Sequence, residues 1–236
     1  MKLPPPKMRE KIWGDFTNDT VWIDSGAYSF SRLKDVYGIK STDTVLDLAC
    51  GCGRVTGYFE GFLSHYYGID SNQAMITWCA NNYPSFEFIW ADVKNWYTPN
   101  GKYGDYEYTF PLLNSCINFG FAFSLFTHLL ELGARRYLKE IYRILKPGGR
   151  FMLSVFILDD CTTSNIKAGT SKYNFPYDNT GNCKYCHRNN PEETVGYTLI
   201  GLQDMIHGAG LKIDKTYRGT WSENASDNQD EIVLVK

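Results

Sequence analysis

At 236 residues, 43% hydrophobic and 16% aromatic, the chain can bury one substantial core and is expected to form a single domain with appendages, two full domains being a tight fit. A formal net charge of −2 gives no broad electrostatic attraction to DNA or RNA, so a small-molecule partner fits better than a nucleic acid. The seven cysteines are odd in number and scattered, which suits a reducing, cytoplasmic setting rather than a disulfide framework.

The amino terminus, "MKLPPPKMREKIWGDF", carries prolines and charges where a signal peptide would need an apolar run, so no export signal is expected. Residues 1–40 hold Trp13, Phe16, Trp22, Tyr28, Phe30 and Tyr37, an aromatic load expected to form a cap packed over a cleft. From Thr44 the pattern becomes regular. "TVLDLAC" reads as a strand, "GCG" as a turn and residues 54–64 as a helix, with "YYGID" as the second strand. "SNQAMITWCANNY" follows as a helix with Ser71 at its N-cap, ended by Pro84, and "FEFIWADV" is a third strand.

Between Tyr108 and Leu130 there is no Asp, Glu, Lys or Arg, and length alone would permit a membrane span. Pro111, Asn114, Asn118, Ser124 and His128 argue instead for a buried strand around "INFGFAFS" leading into a helix, and no membrane partner is expected. "RRYLKEIYRILKPGG" is a helix with Tyr137, Leu138, Ile141, Ile144 and Leu145 on its apolar face, and "RFMLSVFIL" a fifth strand. Residues 159–191 read as an irregular insertion, expected to sit over a site. A helix over "TLIGLQDMIHGAG" and two late strands, "LKIDKTYRG" and "EIVLVK", complete the chain; with no helix between them, the strands should pair antiparallel at an edge.

The turn "TVLDLACGCGRV" is a place where backbone and helix N–H groups can approach a ligand. It lacks the lysine of a phosphate-cradling GxxxxGK loop, and its third glycine, Gly57, falls one place late for a dinucleotide GxGxxG. Asp47 suits an amine-bearing or cationic ligand and would repel a pyrophosphate. Cys50 and Cys52 read as small residues beside that ligand, with no need to react.

"VLDLACGCG" resembles motif I of the class I S-adenosylmethionine-dependent methyltransferases, of the methyltransferase domain type 11/25-like, small-molecule branch. "FAFSLFTHL" and "YLKEIYRILKPGGRFMLS" extend the resemblance over nearly the whole chain. It implies an α/β, Rossmann-like, seven-stranded and mostly parallel sheet with an antiparallel last strand, helices on both faces, an N-terminal cap and an insertion after strand 5. Residues 41–236 would then be the methyltransferase domain. Asp70, ending strand 2, would bind the ribose hydroxyls of S-adenosyl-L-methionine, and Asp92 with Val93 the adenine. Asp47, Ala49, Gly51, Gly53, Ser71, Met75 and Ser124 complete the implied cofactor site.

For the reaction, methyl transfer is an in-line displacement at a sulfonium methyl, and positioning supplies most of its rate. His128, just after strand 4, is the expected general base for a hydroxyl acceptor, ahead of His65, His187 and His207. Trp13, Tyr28, Arg54 and Trp221 are the expected substrate contacts, and Trp13, Trp22 and Tyr28 are also candidates to face the sulfonium charge. "YTPNGKY", "PEETVGY" and "GTW" resemble a branch of bacterial enzymes associated with surface glycans and secondary metabolites, so a sugar or phosphorylated sugar is the expected acceptor. Amine or carboxylate methylation, nucleic-acid methylation and a non-catalytic partner subunit are the alternatives, and a homodimer is possible.

Two departures from that pattern bear on the acceptor: Ile117 and Asn118 stand where Phe-Asp is common, and "GTWSENASDNQD" is less basic than usual. Cys183, Cys186 and His187 have the spacing of half a zinc site, with Cys161 or Glu192 conceivable as a further ligand. A second Cys-x-x-Cys is missing, so no metal is expected.

Overall fold

The structure, a computed structural model, describes residues 2–12, 16–223 and 227–236. In chain order the elements begin with α1 (Pro6–Arg9), α2 (Asp19–Ser31), which continues as a π turn over Arg32–Val36, and β1 (Thr44–Leu48). Next come α3 (Thr56–Phe59), β2 (His65–Asp70), α4 (Gln73–Asn82), β3 (Glu87–Trp90), β4 (Val93–Lys94) and β5 (Tyr103–Gly104). β6 (Ile117–Ala122), a 3-10 turn over Phe126–His128, α5 (Glu131–Ile144), β7 (Leu145–Val155), β8 (Ile157–Leu158) and α6 (Asp160–Ala168) follow. The chain closes with β9 (Tyr177–Asp178), β10 (Cys183–Tyr185), β11 (Val195–Thr198), α7 (Leu199–Gly208), β12 (Lys212–Tyr217) and β13 (Asp230–Val235).

Seven strands form one sheet in the order β12-β13-β7-β6-β1-β2-β3. β1, β2 and β3 run parallel, while β13 runs antiparallel to both β7 and β12, as the missing helix between the last two strands led us to expect. No helix among the described residues is long and apolar enough to cross a membrane. The uncharged stretch is instead the buried strand β6 and the short turn after it.

Residues 1–92 and 117–120 form one compact unit and residues 93–116 and 121–236 a second, so the first forty residues cluster with β1, β2 and β3. In the first unit Trp22, Cys52 and Met75 are buried together, with Met8, Ile12, Phe16 and Trp78 packed against them. Gly26 lets α2 lie on the chain beyond the glycine turn, because a Cβ there would stand 2.4 Å from the Arg54 carbonyl oxygen. Asn118 takes a structural role: its side-chain oxygen accepts the Thr44 N–H at the start of β1.

Several local expectations need correction. The helix after the glycine turn spans only Thr56–Phe59, because Glu60 leaves the helical region and Gly61 takes a left-handed φ of 75°. α4 is capped by Asn72, whose side chain accepts the Met75 N–H, and Ser71 lies outside it. α5 begins at Glu131, four residues before the expected Arg135, and its predicted apolar face is buried.

The insertion is ordered rather than irregular. α6 opens with a capping box between Asp159 and Thr162 and closes on left-handed Gly169. β8-β11-β10-β9 make a four-stranded sheet, and Phe156, Leu158, Phe175 and Trp221 form one buried hydrophobic cluster. Trp221, expected on the acceptor side, is therefore a core residue: it is fully buried, and its indole N–H donates to Asp230 Oδ2 at 2.8 Å.

Asp230 gathers more than that one donor. Its buried carboxylate also accepts the Ile157 and Gly219 backbone N–H groups at 3.0 Å and pairs with Arg218 at 3.2 Å. Replacing it orphans two buried donors and a half-buried third at once. Asp230→Ala is expected to lower unfolding free energy in urea by about 3 kcal/mol; a change within experimental error would show that the cluster is not a structural knot.

Candidate active site

β1 delivers Asp47 and the turn that follows it. Leu48 pairs with Ile69, and the next two residues, Ala49 and Cys50, both donate N–H to the Ile69 carbonyl, so the turn hangs from the end of β2. Ala49, Gly51 and Gly53 all take left-handed φ values, of 67°, 55° and 78°. For alanine this conformation is strained, and such strain clusters where a backbone is shaped for a ligand. Asp70 closes the arrangement: Oδ2 accepts the Gly51 N–H and Oδ1 the Asn72 N–H, both at 2.8 Å. Burial raises the Asp70 carboxyl above its ordinary value, opposed by those backbone donors.

Asp47 is buried and accepts the Tyr66 hydroxyl at 2.8 Å, and Thr56 lies 2.8 Å from the same phenol oxygen. Desolvation raises its carboxyl from 3.8 to about 7, with the Tyr66 hydrogen bond and Arg54 opposing the shift. Arg54 is itself held by α2, donating to the Ser25 carbonyl and the Ser29 hydroxyl, with Phe16 under its guanidinium. Burial pushes the Cys52 thiol up to about 12 and the Cys50 and Cys79 thiols well up, so all three are protonated fillers around the turn.

Met75 packs with Trp22, and the Arg9 guanidinium lies over the Trp22 ring at 5.7 Å from its centroid. Among the described residues the buried Trp22 indole N–H has no hydrogen-bond partner. Such an orphan donor beside a glycine turn fits a ligand that brings an acceptor, and the carboxylate of an amino-acid moiety is one. Asp92 follows β3 and is half-buried, with the neighbouring Ala91 N–H tied to the Asp70 carbonyl. Ser71 offers its carbonyl to the Trp90 indole N–H at 3.0 Å, which fixes a partly exposed aromatic ring opposite Asp70 in the sheet register. Trp13 lies outside the described residues, and Tyr28 is an exposed residue of α2 with Arg32 over its ring.

The second unit holds the other residues expected at the site. Val93 is buried in β4. Ser124 adopts a left-handed φ of 58°; its N–H donates to Ser154 Oγ, and its hydroxyl lies by Gln229. His128 ends the 3-10 turn with Nδ1 3.0 Å from the Glu192 carbonyl oxygen and Nε2 3.3 Å from the Tyr97 hydroxyl. A carbonyl can only accept, so Nδ1 carries the proton and Nε2 keeps its lone pair. Desolvation lowers the His128 pKa from 6.5, against the opposing effects of Glu192 and Glu193, and so favours the neutral ring.

Sequence reasoning did not single out Trp90 or Tyr97, and it weighed Glu192 only as a metal ligand. The aromatic "NWYTPNG" loop carried the signal for Tyr97. Cys183 is buried in β10 opposite Tyr197, while the His187 side chain is half exposed. No group of three or more His, Cys, Asp or Glu among the described residues is placed to hold a metal ion.

Asp47 makes the stability of the fold depend on pH. Its folded carboxyl keeps a proton up to about pH 7 whereas the unfolded one loses it near 4, so this group's contribution falls as pH rises through that window and is level above it. Asp47→Asn removes the slope and is expected to gain about 2 kcal/mol or more over wild type at pH 8 relative to pH 4 in urea titrations. Equal pH slopes in the two proteins would contradict the buried, proton-holding assignment.

Residues 46–153 match the family described as a methyltransferase domain. A curated relative, the protein 235L of Invertebrate iridescent virus 6, named for a methyltransferase, is 28% identical over 112 residues, 47% of this chain and 42% of that protein. The chain therefore spans less than half the length of the curated relative it matches. Among solved structures, an S-adenosylmethionine-dependent methyltransferase of Methanosarcina mazei aligns with TM-score 0.59 at 17% identity, covering 84% of this chain and 94% of that one. One from Aquifex aeolicus aligns with TM-score 0.59 at 16% identity over the full length of both chains. The methyltransferase-domain match covers just under half of the chain, and what the chain shares with these solved S-adenosylmethionine-dependent methyltransferases is the fold, here with a glycine turn clasped by an acid at the end of β2.

Proposed function

We propose that the protein transfers a methyl group from S-adenosylmethionine to a hydroxyl of a small polar metabolite, a sugar or phosphorylated sugar. When bound, the cofactor supplies an electrophilic methyl group on a sulfonium. Asp70, already fixed by two backbone donors, would take the ribose hydroxyls, with Asp92 and the Trp90 ring toward the adenine. The unpartnered Trp22 N–H would take the carboxylate of the amino-acid portion, and Asp47 would favour its ammonium. Ala49, Gly51 and Gly53 contribute backbone shape, and Met75 the apolar wall beside them.

The observation that carries the choice of a hydroxyl is His128, neutral by burial and holding Nε2 as a proton acceptor. A hydroxyl must lose a proton as it attacks, whereas a carboxylate acceptor is already ionised and needs no base. Trp96 and Tyr97, about half exposed at 48% and 49%, offer aromatic faces that suit the C–H faces of a sugar ring. The residues after the insertion reach this region through Glu192, whose carboxylate holds the Trp96 N–H at 2.9 Å.

Calorimetry with S-adenosylhomocysteine tests the cofactor half. Asp70→Ala is expected to abolish measurable binding, and Trp22→Phe to weaken it about 10-fold, as for a lost hydrogen bond to a charged group. Mass-detected methylation of a panel of sugars, sugar phosphates, amines and carboxylates tests the acceptor half. No binding by wild type, or binding unchanged in Asp70→Ala, overturns the cofactor assignment; methylation confined to amines or carboxylates overturns the acceptor.

A further inference from the structure

Both nitrogens of His128 are already engaged. Nδ1–H is spent on the Glu192 carbonyl, and the only lone pair of the ring, on Nε2, faces the Tyr97 hydroxyl at 3.3 Å, with the two rings edge to face at 89°. With Nε2 as acceptor, the phenol must be the donor, and its oxygen keeps lone pairs for another group. A contact of 3.3 Å is long for this bond, as is common at catalytic pairs before substrate arrives.

Tyr97 is not loosely placed. Asn95 Oδ1 accepts the N–H groups of both Tyr97 and Thr98 at 2.9 Å, and the Thr98 hydroxyl donates to the Val93 carbonyl at 2.7 Å. Glu192 then joins the two partners: its carbonyl orients His128 and its carboxylate holds the residue before Tyr97. A loop held by its own hydrogen bonds thus presents a partly exposed phenol within reach of a base. Burial and the nearby Glu193 raise the Tyr97 pKa, which keeps that proton in place at rest.

We propose that Tyr97, rather than His128 directly, is the catalytic residue that meets the acceptor hydroxyl, and that it relays the hydroxyl proton to His128. As the acceptor O–H bond breaks, its proton passes to the Tyr97 oxygen while the phenol's own proton passes to Nε2. The phenol is regenerated and His128 becomes an imidazolium; the freed electron pair on the acceptor oxygen would form the bond to the methyl as the methyl–sulfur bond breaks, its electron pair leaving on the sulfur of S-adenosylhomocysteine. The imidazolium loses its proton to solvent after turnover. Glu192 is the positioning residue, holding the tautomer that the relay requires.

This inference rests on the hydroxyl-acceptor reading, and two measurements keep their failures apart. Nitrogen NMR of the His128 ring needs no acceptor. Wild type should show the Nδ1–H tautomer with Nε2 shifted by an accepted hydrogen bond, and Tyr97→Phe should remove that Nε2 shift while leaving Nδ1–H. An Nε2 signal unchanged by Tyr97→Phe overturns the pair whatever the acceptor proves to be. On the sugar of the panel that wild type methylates, Tyr97→Phe should lower kcat by 100-fold or more with S-adenosylhomocysteine affinity unchanged. His128→Asn should do the same, and the double variant should be no worse than either, as for residues acting as a unit. A Tyr97→Phe variant within threefold of wild-type kcat, or faster, overturns the relay in favour of direct proton transfer to His128. If wild type methylates no hydroxyl, the acceptor reading and with it the relay fail, while the nitrogen shifts still decide the pairing.

Discussion

The carboxylate of Asp70 is the constraint on which the first unit is built. One oxygen holds the Gly51 N–H and the other the Asn72 N–H, so a single side chain joins the glycine turn to the start of α4. The close approach needs space that only glycine leaves. At Gly68 a Cβ would stand 2.7 Å from Phe88 and 3.0 Å from Cys50 Sγ, so the β2 backbone at that point can carry no side chain without moving the turn. At Gly51 a Cβ would meet Ile12 at 3.2 Å, which brings the amino-terminal segment into the same packing. The aromatic cap and the turn are therefore parts of one compact unit, joined through Trp22, Cys52 and Met75.

The second unit fixes its chemistry by a different device. His128 lies on a short turn with little helical structure of its own, so its position has to come from tertiary bonds. Tyr197 of β11 donates its hydroxyl to the Phe126 and Leu129 carbonyls on either side of it. Ser124, just before, is held in its left-handed conformation by Ser154 of β7. The insertion matters here for its last residues: the chain that leaves the small sheet's β10 passes through Glu192 and Glu193 on its way to β11. What reads as a long polar connection is an ordered subdomain whose exit strand and turn orient a histidine.

The main sheet was legible because its strands are short apolar runs bounded by glycine, proline and polar turns, and because parallel strands buried on both faces leave a strong signal. Asp47 and Asp70 were legible for the same reason, as charged residues inside or at the end of otherwise apolar strands. The small sheet was not. β9 and β10 are two and three residues long, with polar, aromatic and cysteine residues in no clear alternation, and their pairing is set by β11 and β8 rather than by their own sequence. Trp221 was misread because an exposed-looking "GTW" turn gives no sign that Asp230, nine residues later, will capture its indole. Tyr97 and Glu192 lie 31 and 64 residues from His128, so their association is a property of the fold that no local pattern carries.

The turn carries costs that the free protein does not recover. Ala49 in the left-handed region costs roughly 1 kcal/mol, and an orphan buried N–H such as that of Trp22 about 1–3 kcal/mol. Asp47 adds a carboxyl that must give up its proton, or stay neutral, in a buried site at pH 7. Each cost would be relieved by the same kind of ligand: one with a carboxylate for the indole, a cation for Asp47 and a shape that needs the turn as it stands. Three penalties that one ligand chemistry would relieve support the cofactor reading proposed for this turn. Cys50, Cys52 and Cys79 are the small buried side chains around which strand, turn and α4 close.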